Sequence, residues 1–141
     1  MKILVTTDGS KASLAAVKHA AELAIALRTK DRITLLSVHD HLAFNHVKKF
    51  VNKGALEDYL RELSEKELAP ARAVLEKARV KFDIEIRQGH VADEIVKSAH
   101  TGKFDMIVMG AKGRSALKDL LLGSVAQRVV SLAKIPVVLV K

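Results

Sequence analysis

Lys2-Ile3-Leu4-Val5-Thr6-Thr7-Asp8-Gly9-Ser10 opens the chain with a short apolar, β-branched run that stops at a cluster of turn residues. A run of this kind, bounded by such residues, reads as a buried strand. Ser10 then stands where a helix N-cap is wanted, because its hydroxyl can accept a backbone N–H one turn further on. Leu14, Val17, Ala21 and Ala24 follow at helical spacing and carry that helix to the neighbourhood of Arg28.

The same unit recurs along the chain. Arg32 to Val38, with Ile33, Leu35 and Leu36 apolar, reads as a second strand. His39 to Lys53 shows little periodicity. Leu56, Leu60, Leu63, Leu75 and Ala78 mark a long amphipathic helix ending near Arg79. Pro70 lies inside it and predicts a kink or a break into two pieces. Phe82, Ile84 and Ile86 alternate with charges, as in a half-exposed strand, and Gly89 turns the chain. Val91, Ile95 and Ala99 give a short helix, and Asp105 to Met109 a buried strand. A glycine-rich loop leads to a helix from Ser124 to Ala133, and Pro136 to Val140 forms the last strand. Strands alternating with helices predict an α/β fold: one doubly wound five-stranded parallel sheet with helices on both faces, and residues 1–141 as a single domain. Ligands of such sheets sit beyond the carboxyl ends of the strands. Asp8, the segment Val38 to Asp40, and Gly110 fall there.

Composition narrows the chemistry. Of 141 residues 49% are apolar and 28% charged, which excludes a disordered or low-complexity chain. Zero cysteines exclude a disulfide framework, thiol catalysis and thiolate zinc sites, and suit a cytoplasmic location. No apolar run approaches the roughly 18 residues of a membrane span, and an acid as early as Asp8 argues against a signal peptide. The 24 basic residues outnumber the 16 acidic ones, a net charge of +8. From residue 71 onward there are 13 basic and 7 acidic residues. Such a balance favours anionic partners. Four Phe, one Tyr and no Trp leave too few stacking surfaces for a single-strand nucleic-acid platform, so no specific nucleic acid is expected.

Met109-Gly110-Ala111-Lys112-Gly113-Arg114-Ser115 leaves the fourth strand, and Gly123-Ser124-Val125 opens the next helix. Glycines let backbone N–H groups approach a phosphate, and a helix start adds unpaired N–H groups and partial positive charge. Ser124 adds a hydroxyl, while Lys112 and Arg114 add counter-charge. The spacing is neither that of the Walker loop nor that of the dinucleotide-binding fingerprint. From chemistry alone a phosphate cradle and a pair of tight turns are equally good readings.

Gly110-x2-Gly113-x9-Gly123-Ser124 resembles the nucleotide motif of the universal stress protein family, in its ATP-binding branch. The opening Ile3 to Ser10, the strand end Leu36-Ser37-Val38 and the closing Ile135-Pro136-Val137-Val138-Leu139-Val140 are similar to that family in order and spacing. The resemblance spans essentially the whole chain. It implies a sheet order of 3-2-1-4-5 and an adenine nucleotide as ligand: ATP, or ADP or AMP, with Mg²⁺ accompanying the phosphates. It implies that Asp8 lies near ribose and base, and that the backbone of Val38 meets adenine. Met109 and Gly110 would underlie ribose and phosphates, and Gly113, Gly123, Ser124 and Val125 would form the phosphate loop and helix start. Thr6 stands where some members carry Pro, on the adenine side. The resemblance further implies a homodimer paired through the C-terminal strand, an apolar edge that proteins seldom leave open. A nucleotide-responsive cytoplasmic regulator with protein partners is the function it implies, with slow ATP hydrolysis or autophosphorylation as attendant activities. A nucleotide-free interaction scaffold of the same fold is the alternative.

Other constellations carry less. His39 and His41 alternate in an extended segment and, with His46, resemble metal ligands, but no Glu or Cys completes a set. His90 reads as a helix-start or surface residue. Ser10, Ser115 and Ser124 lie in no nucleophile elbow, and Asp105 and Asp119 make no acid–base pair. With no placed general base, the chain is not read as an enzyme. Lys48, Lys49 and Lys53 read as a solvated face. A receiver domain would need an acid pair after the first strand and an Asp after the third, where this chain has a lone Asp8 and Gln88-Gly89. A flavodoxin-like carrier would need aromatics flanking its flavin.

Overall fold

The computed structural model describes residues 1–40, 52–113 and 121–141. Its elements are β1 (Ile3–Thr6), α1 (Lys11–Ala26), β2 (Ile33–Asp40), α2 (Lys53–Lys77), β3 (Phe82–Gly89), α3 (Val91–Thr101), β4 (Met106–Gly110), α4 (Ser124–Leu132) and β5 (Val137–Val140). The five strands form one parallel sheet in the order β3-β2-β1-β4-β5. The sequence-based order and doubly wound class hold.

Side-chain alternation along the strands divides the core into two layers. Ile3 and Val5 of β1, Ile33 and Leu35 of β2, and Val108 of β4 pack against α1 and α2. Leu4, Leu36, Ile107 and Met109, from the same strands, pack against α3 and α4. Burial of strands on both faces explains why they read as continuous apolar runs rather than alternating ones. α1 meets the sheet with Ala16, Val17, Ala20, Ala21 and Ala24, and small residues there let the helix approach closely. The approach is tightest at Gly110, where a Cβ would lie 2.9 Å from the backbone carbon of Ala12.

Ser10 caps α1 as expected, its hydroxyl accepting the Ser13 N–H at 3.2 Å. The C-terminal ends of α1, α2 and α3 share one device. Arg28, Arg79 and Lys103 adopt φ of 49°, 58° and 54°. The following N–H groups of Thr29, Val80 and Phe104 reach back to Ala24, Leu75 and Ala99 carbonyls at 3.0 to 3.1 Å. This is the left-handed helix stop that glycine usually supplies.

Two elements, β2 and α2, depart from expectation. β2 runs on to Asp40 and β3 to Gly89, because the two strands pair in register from Ile33–Phe82 to Asp40–Gly89. The backbone ladder thus outlasts the apolar pattern. α2 is a single helix through Pro70 rather than two pieces. Pro70 and Lys66, whose carbonyl loses its partner, are both solvent-exposed, so water can satisfy the freed group. Leu68, Ala71 and Leu75 anchor the helix on either side of the proline.

Edge strand β3 is tied to α3 by charge. Arg87 donates from Nε to Glu94 at 2.7 Å and from Nη1 to Glu85 at 2.8 Å, and Ser98 donates to the other Glu85 oxygen at 2.9 Å. Hydrogen bonds donated to Glu85 and then to Glu94 raise the guanidinium pKa above its ordinary value. Among the described residues, no helix is long and apolar enough to cross a membrane.

Candidate functional site

A cavity of about 290 Å³ opens beyond the carboxyl ends of β1, β2 and β4, on the α3–α4 side. Thr6, Asp8, Val38, Met109, Gly110, Gly113, Gly123, Ser124 and Val125 all line it. These residues come from four separated stretches, and the parallel sheet brings their strand ends to one level. Thr6 pairs in register with Leu36, and Val108 with Val5, so Thr6, Leu36 and Met109 lie side by side on the floor.

The turn after β1 is held by a network of short side chains. Ser13 donates its hydroxyl hydrogen to the Ser10 carbonyl at 2.9 Å, so it accepts from Thr7, 3.2 Å away, and from the Asp8 N–H at 3.3 Å. Thr7 in turn accepts the Gly9 N–H at 3.3 Å. Asp8 Oδ1 accepts the Ser10 N–H at 2.9 Å, an Asx turn that leaves Oδ2 facing the glycine loop. Gly9 at φ 81° lets the chain reverse directly after the acid. The local bonds fix the carboxylate at the mouth of the cleft.

The loop after β4 is closed at its base. The Ala111 N–H bonds the Val140 carbonyl at 2.8 Å, and the Gly123 N–H bonds the Ala111 carbonyl at 2.7 Å. This brings Gly123 beside Gly113, where a Cβ would sit 3.4 Å from the Gly113 nitrogen. α4 therefore starts at the rim of the cavity. Its N-cap, Gly123, provides no side-chain cap, and its first turn holds no acidic residue, whereas that of α3 holds Asp93 and Glu94. The first N–H groups of α4 have no partner within the helix, and no acidic side chain of its own first turn offsets its partial positive charge. Such a helix start favours an anion.

Sequence reasoning missed several lining residues: Thr7, Ser13, Leu36, Val91, Ile95 and Ala126. Val91 and Ile95 stand four residues apart on α3, a helical face that periodicity exposes, but nothing in the pattern told that this face roofs a cleft. Arg114 lies outside the described residues, as do His41, His46, Lys48, Lys49, Ser115 and Asp119.

Of the three histidines, His39 alone lies among the described residues. His39 is only 8% exposed and points to the opposite face of the sheet from Val38, where its Nε2 lies 2.7 Å from Ser64 Oγ. Ser64 donates its own hydrogen to the Leu60 carbonyl at 2.6 Å, so Nε2 carries the proton and donates to Ser64. Among the described residues, no group of three or more His, Asp or Glu could hold a metal. His90 occupies the N-cap of α3, exposed and without a side-chain cap bond. Asp105 accepts the Lys2 N–H at 2.6 Å, at the opposite end of the sheet from the cleft. Lys53 is an exposed first residue of α2.

A parallel sheet of this order, with a glycine-walled cleft at its carboxyl edge, defines a Rossmann-like α/β protein. The chain belongs to the universal stress protein family, whose model matches residues 1–141. It is 36% identical over 140 residues to a universal stress protein of Methanocaldococcus jannaschii, covering 99% of this chain and 81% of that one. It is 35% identical over 140 residues to one of Thermus aquaticus, covering 99% and 97%. Among solved structures it resembles a second Methanocaldococcus jannaschii family member, solved to assign its biochemical function, with TM-score 0.82 and 33% identity over 99% of this chain and 94% of that one. It also resembles a universal stress protein crystallised in complex with cAMP, with TM-score 0.67 and 28% identity over 99% and 95%.

Proposed function

We propose that the cleft binds an adenine nucleotide, ATP or its ADP and AMP relatives, and that the bound state regulates contacts with protein partners in a stress response. The observation that carries this reading is the convergence of Asp8, Val38, Gly110, Gly113 and Gly123 on one cavity. The cAMP complex of a 28% identical relative supports an adenine nucleotide as the class of ligand. Leu36, Val38, Ile95 and Met109 suit a flat base, and the Asp8 carboxylate suits ribose hydroxyls. Backbone N–H groups at Gly113 and the start of α4, with Lys112, suit phosphates. Mg²⁺ would be held through phosphate oxygens, since the described residues offer no cage of carboxylates there.

The nucleotide-bound form is a homodimer in the cytoplasm. Pro136 and Val140 carbonyls bond back to β4, so the two-residue period turns the N–H and C=O of Val137 and Leu139 outward from the sheet. Half-buried β5 and the exposed Val130 and Leu132 of α4 make that edge apolar, and a second copy of the strand would cover it.

A thermal-melt series tests ligand class. A ligand at a hundred times its Kd stabilises the folded state by about 2.7 kcal/mol, so saturating Mg-ATP raises the melting temperature by several degrees. No shift with ATP, ADP or AMP overturns the reading in favour of a nucleotide-free scaffold.

A further inference from the structure

β3 ends at Gly89 and α3 begins at Val91, so a single residue, His90, separates the edge strand from a helix that lines the cleft. So short a link fixes where α3 starts but leaves its tilt over the sheet to side chains. Arg87 spans the link. Its guanidinium holds Glu85 on its own strand at 2.8 Å and Glu94 on α3 at 2.7 Å. Ser98, one helical turn beyond Glu94, holds the second Glu85 oxygen at 2.9 Å. Gly89 makes room for the arrangement, since a Cβ there would lie 2.9 Å from Glu94 Cγ. The network is largely shielded, with the Arg87, Glu85 and Glu94 side chains 24%, 33% and 21% exposed. A second charged link of α3, from Asp93 to Arg128 of α4, is 42% and 61% exposed at its two ends, where an ion pair is worth little.

Arg87 is also the register partner of Val38, and paired residues of adjacent strands turn their side chains to one face of the sheet. Val38 lines the cleft from that sheet face, and Val91 and Ile95 line it from α3, on the helix face next to Glu94 and Ser98. The brace thus ties the helical wall of the apolar end of the cleft to the strand beside Val38. We infer that Arg87 is a positioning residue for the nucleoside half of the ligand, holding Val91 and Ile95 over Val38 at the spacing a flat base needs. The inference rests on the nucleotide reading above and deepens it. Without the guanidinium, Glu85 and Glu94 face one another as like charges and drive the first turn of α3 away from β3. The glycine loop is held by other bonds, those of Ala111 to Val140 and of Gly123 to Ala111.

Calorimetric titrations of ATP, and of adenosine in competition with it, test the inference in wild type, Arg87→Gln, Arg87→Lys and Glu94→Gln. Arg87→Gln weakens both ligands by one common factor, about tenfold, the worth of a charge-assisted hydrogen bond. The factor is common because adenosine carries no phosphate, and a loss confined to the nucleoside half is the same for both. Arg87→Lys, which keeps the charge and one bond, regains most of the loss. Glu94→Gln leaves an uncharged acceptor, gives the same pattern at about threefold, and carries the test where Arg87→Gln does not fold. Unchanged affinity, whatever the melting point, makes the brace structural only and overturns the inference. A larger loss for ATP than for adenosine means a site loosened as a whole and also overturns it, as does a lysine variant as weak as the glutamine one. A wild type that binds no ATP overturns instead the reading on which the inference stands.

Discussion

A Cβ placed on Gly113 would lie 2.9 Å from Asp8 Oδ2, so the acid after β1 and the loop after β4 meet across the mouth of the cleft. Gly110, three residues earlier, faces backbone instead, with a Cβ only 2.9 Å from the Ala12 carbon and 3.1 Å from its oxygen. The two glycines therefore have separable jobs. Gly113→Ala needs only a carboxylate rotation, so it should cost less than about 1 kcal/mol of stability while weakening nucleotide binding. Gly110→Ala forces α1 off the sheet, an overpacking that costs about 1–3 kcal/mol. Chemical denaturation of both variants, with ATP titrations of Gly113→Ala, checks the contrast.

The buried His39–Ser64 pair joins β2 to α2 and is predicted to be structural. Ser64→Ala leaves the Nε2–H without an acceptor inside the protein and should destabilise it by about 1–3 kcal/mol. Added Zn²⁺ or Ni²⁺ should leave the melting point unchanged in wild type. A metal-dependent rise that His39→Gln abolishes would contradict the assignment.

Helix stops offer a stabilising prediction. Arg28 and Arg79 hold left-handed φ without the freedom of glycine. Arg28→Gly and Arg79→Gly should each stabilise the protein by about 1 kcal/mol, the usual cost of that conformation for a side chain. Their sum, read by denaturant midpoint, should be additive, since the two sites close different helices.

At the sheet edge, Leu139→Pro removes an outward N–H without touching the bonds to β4. Light scattering should find a dimer for wild type and a monomer of unchanged secondary structure for the variant. A variant that stays dimeric would place the contact elsewhere.

Much of this was legible in the chain itself, for identifiable reasons. Apolar runs ending in Asp8-Gly9-Ser10 and in Gly110 report burial on both faces of a parallel sheet, while the strand order came from the family resemblance. Ser10 was readable as a cap because capping is local. Pro70 left a kink and a break equally open, because whether a helix continues through proline depends on where the freed carbonyl faces, and only packing decides that. The role of His39 was not legible because its partner is a serine twenty-five residues distant, which only the packing of α2 on the sheet brings to it. The nine cleft residues were legible through the family resemblance, in which the glycine spacing carries Met109 to Val125 and the match of strand ends carries Thr6, Asp8 and Val38, whereas Leu36, Val91 and Ile95 look like any core residues until the sheet and α3 are assembled.

The central claim is that the glycine-walled cleft is a nucleotide site. Isothermal titration of Mg-ATP into wild type and into a Gly113→Val, Gly123→Val double variant measures it most directly. The account predicts one saturable site per chain with micromolar affinity in wild type and loss of that binding in a folded double variant. A folded wild-type protein that takes up no ATP, or a double variant that binds as well as wild type, would contradict it.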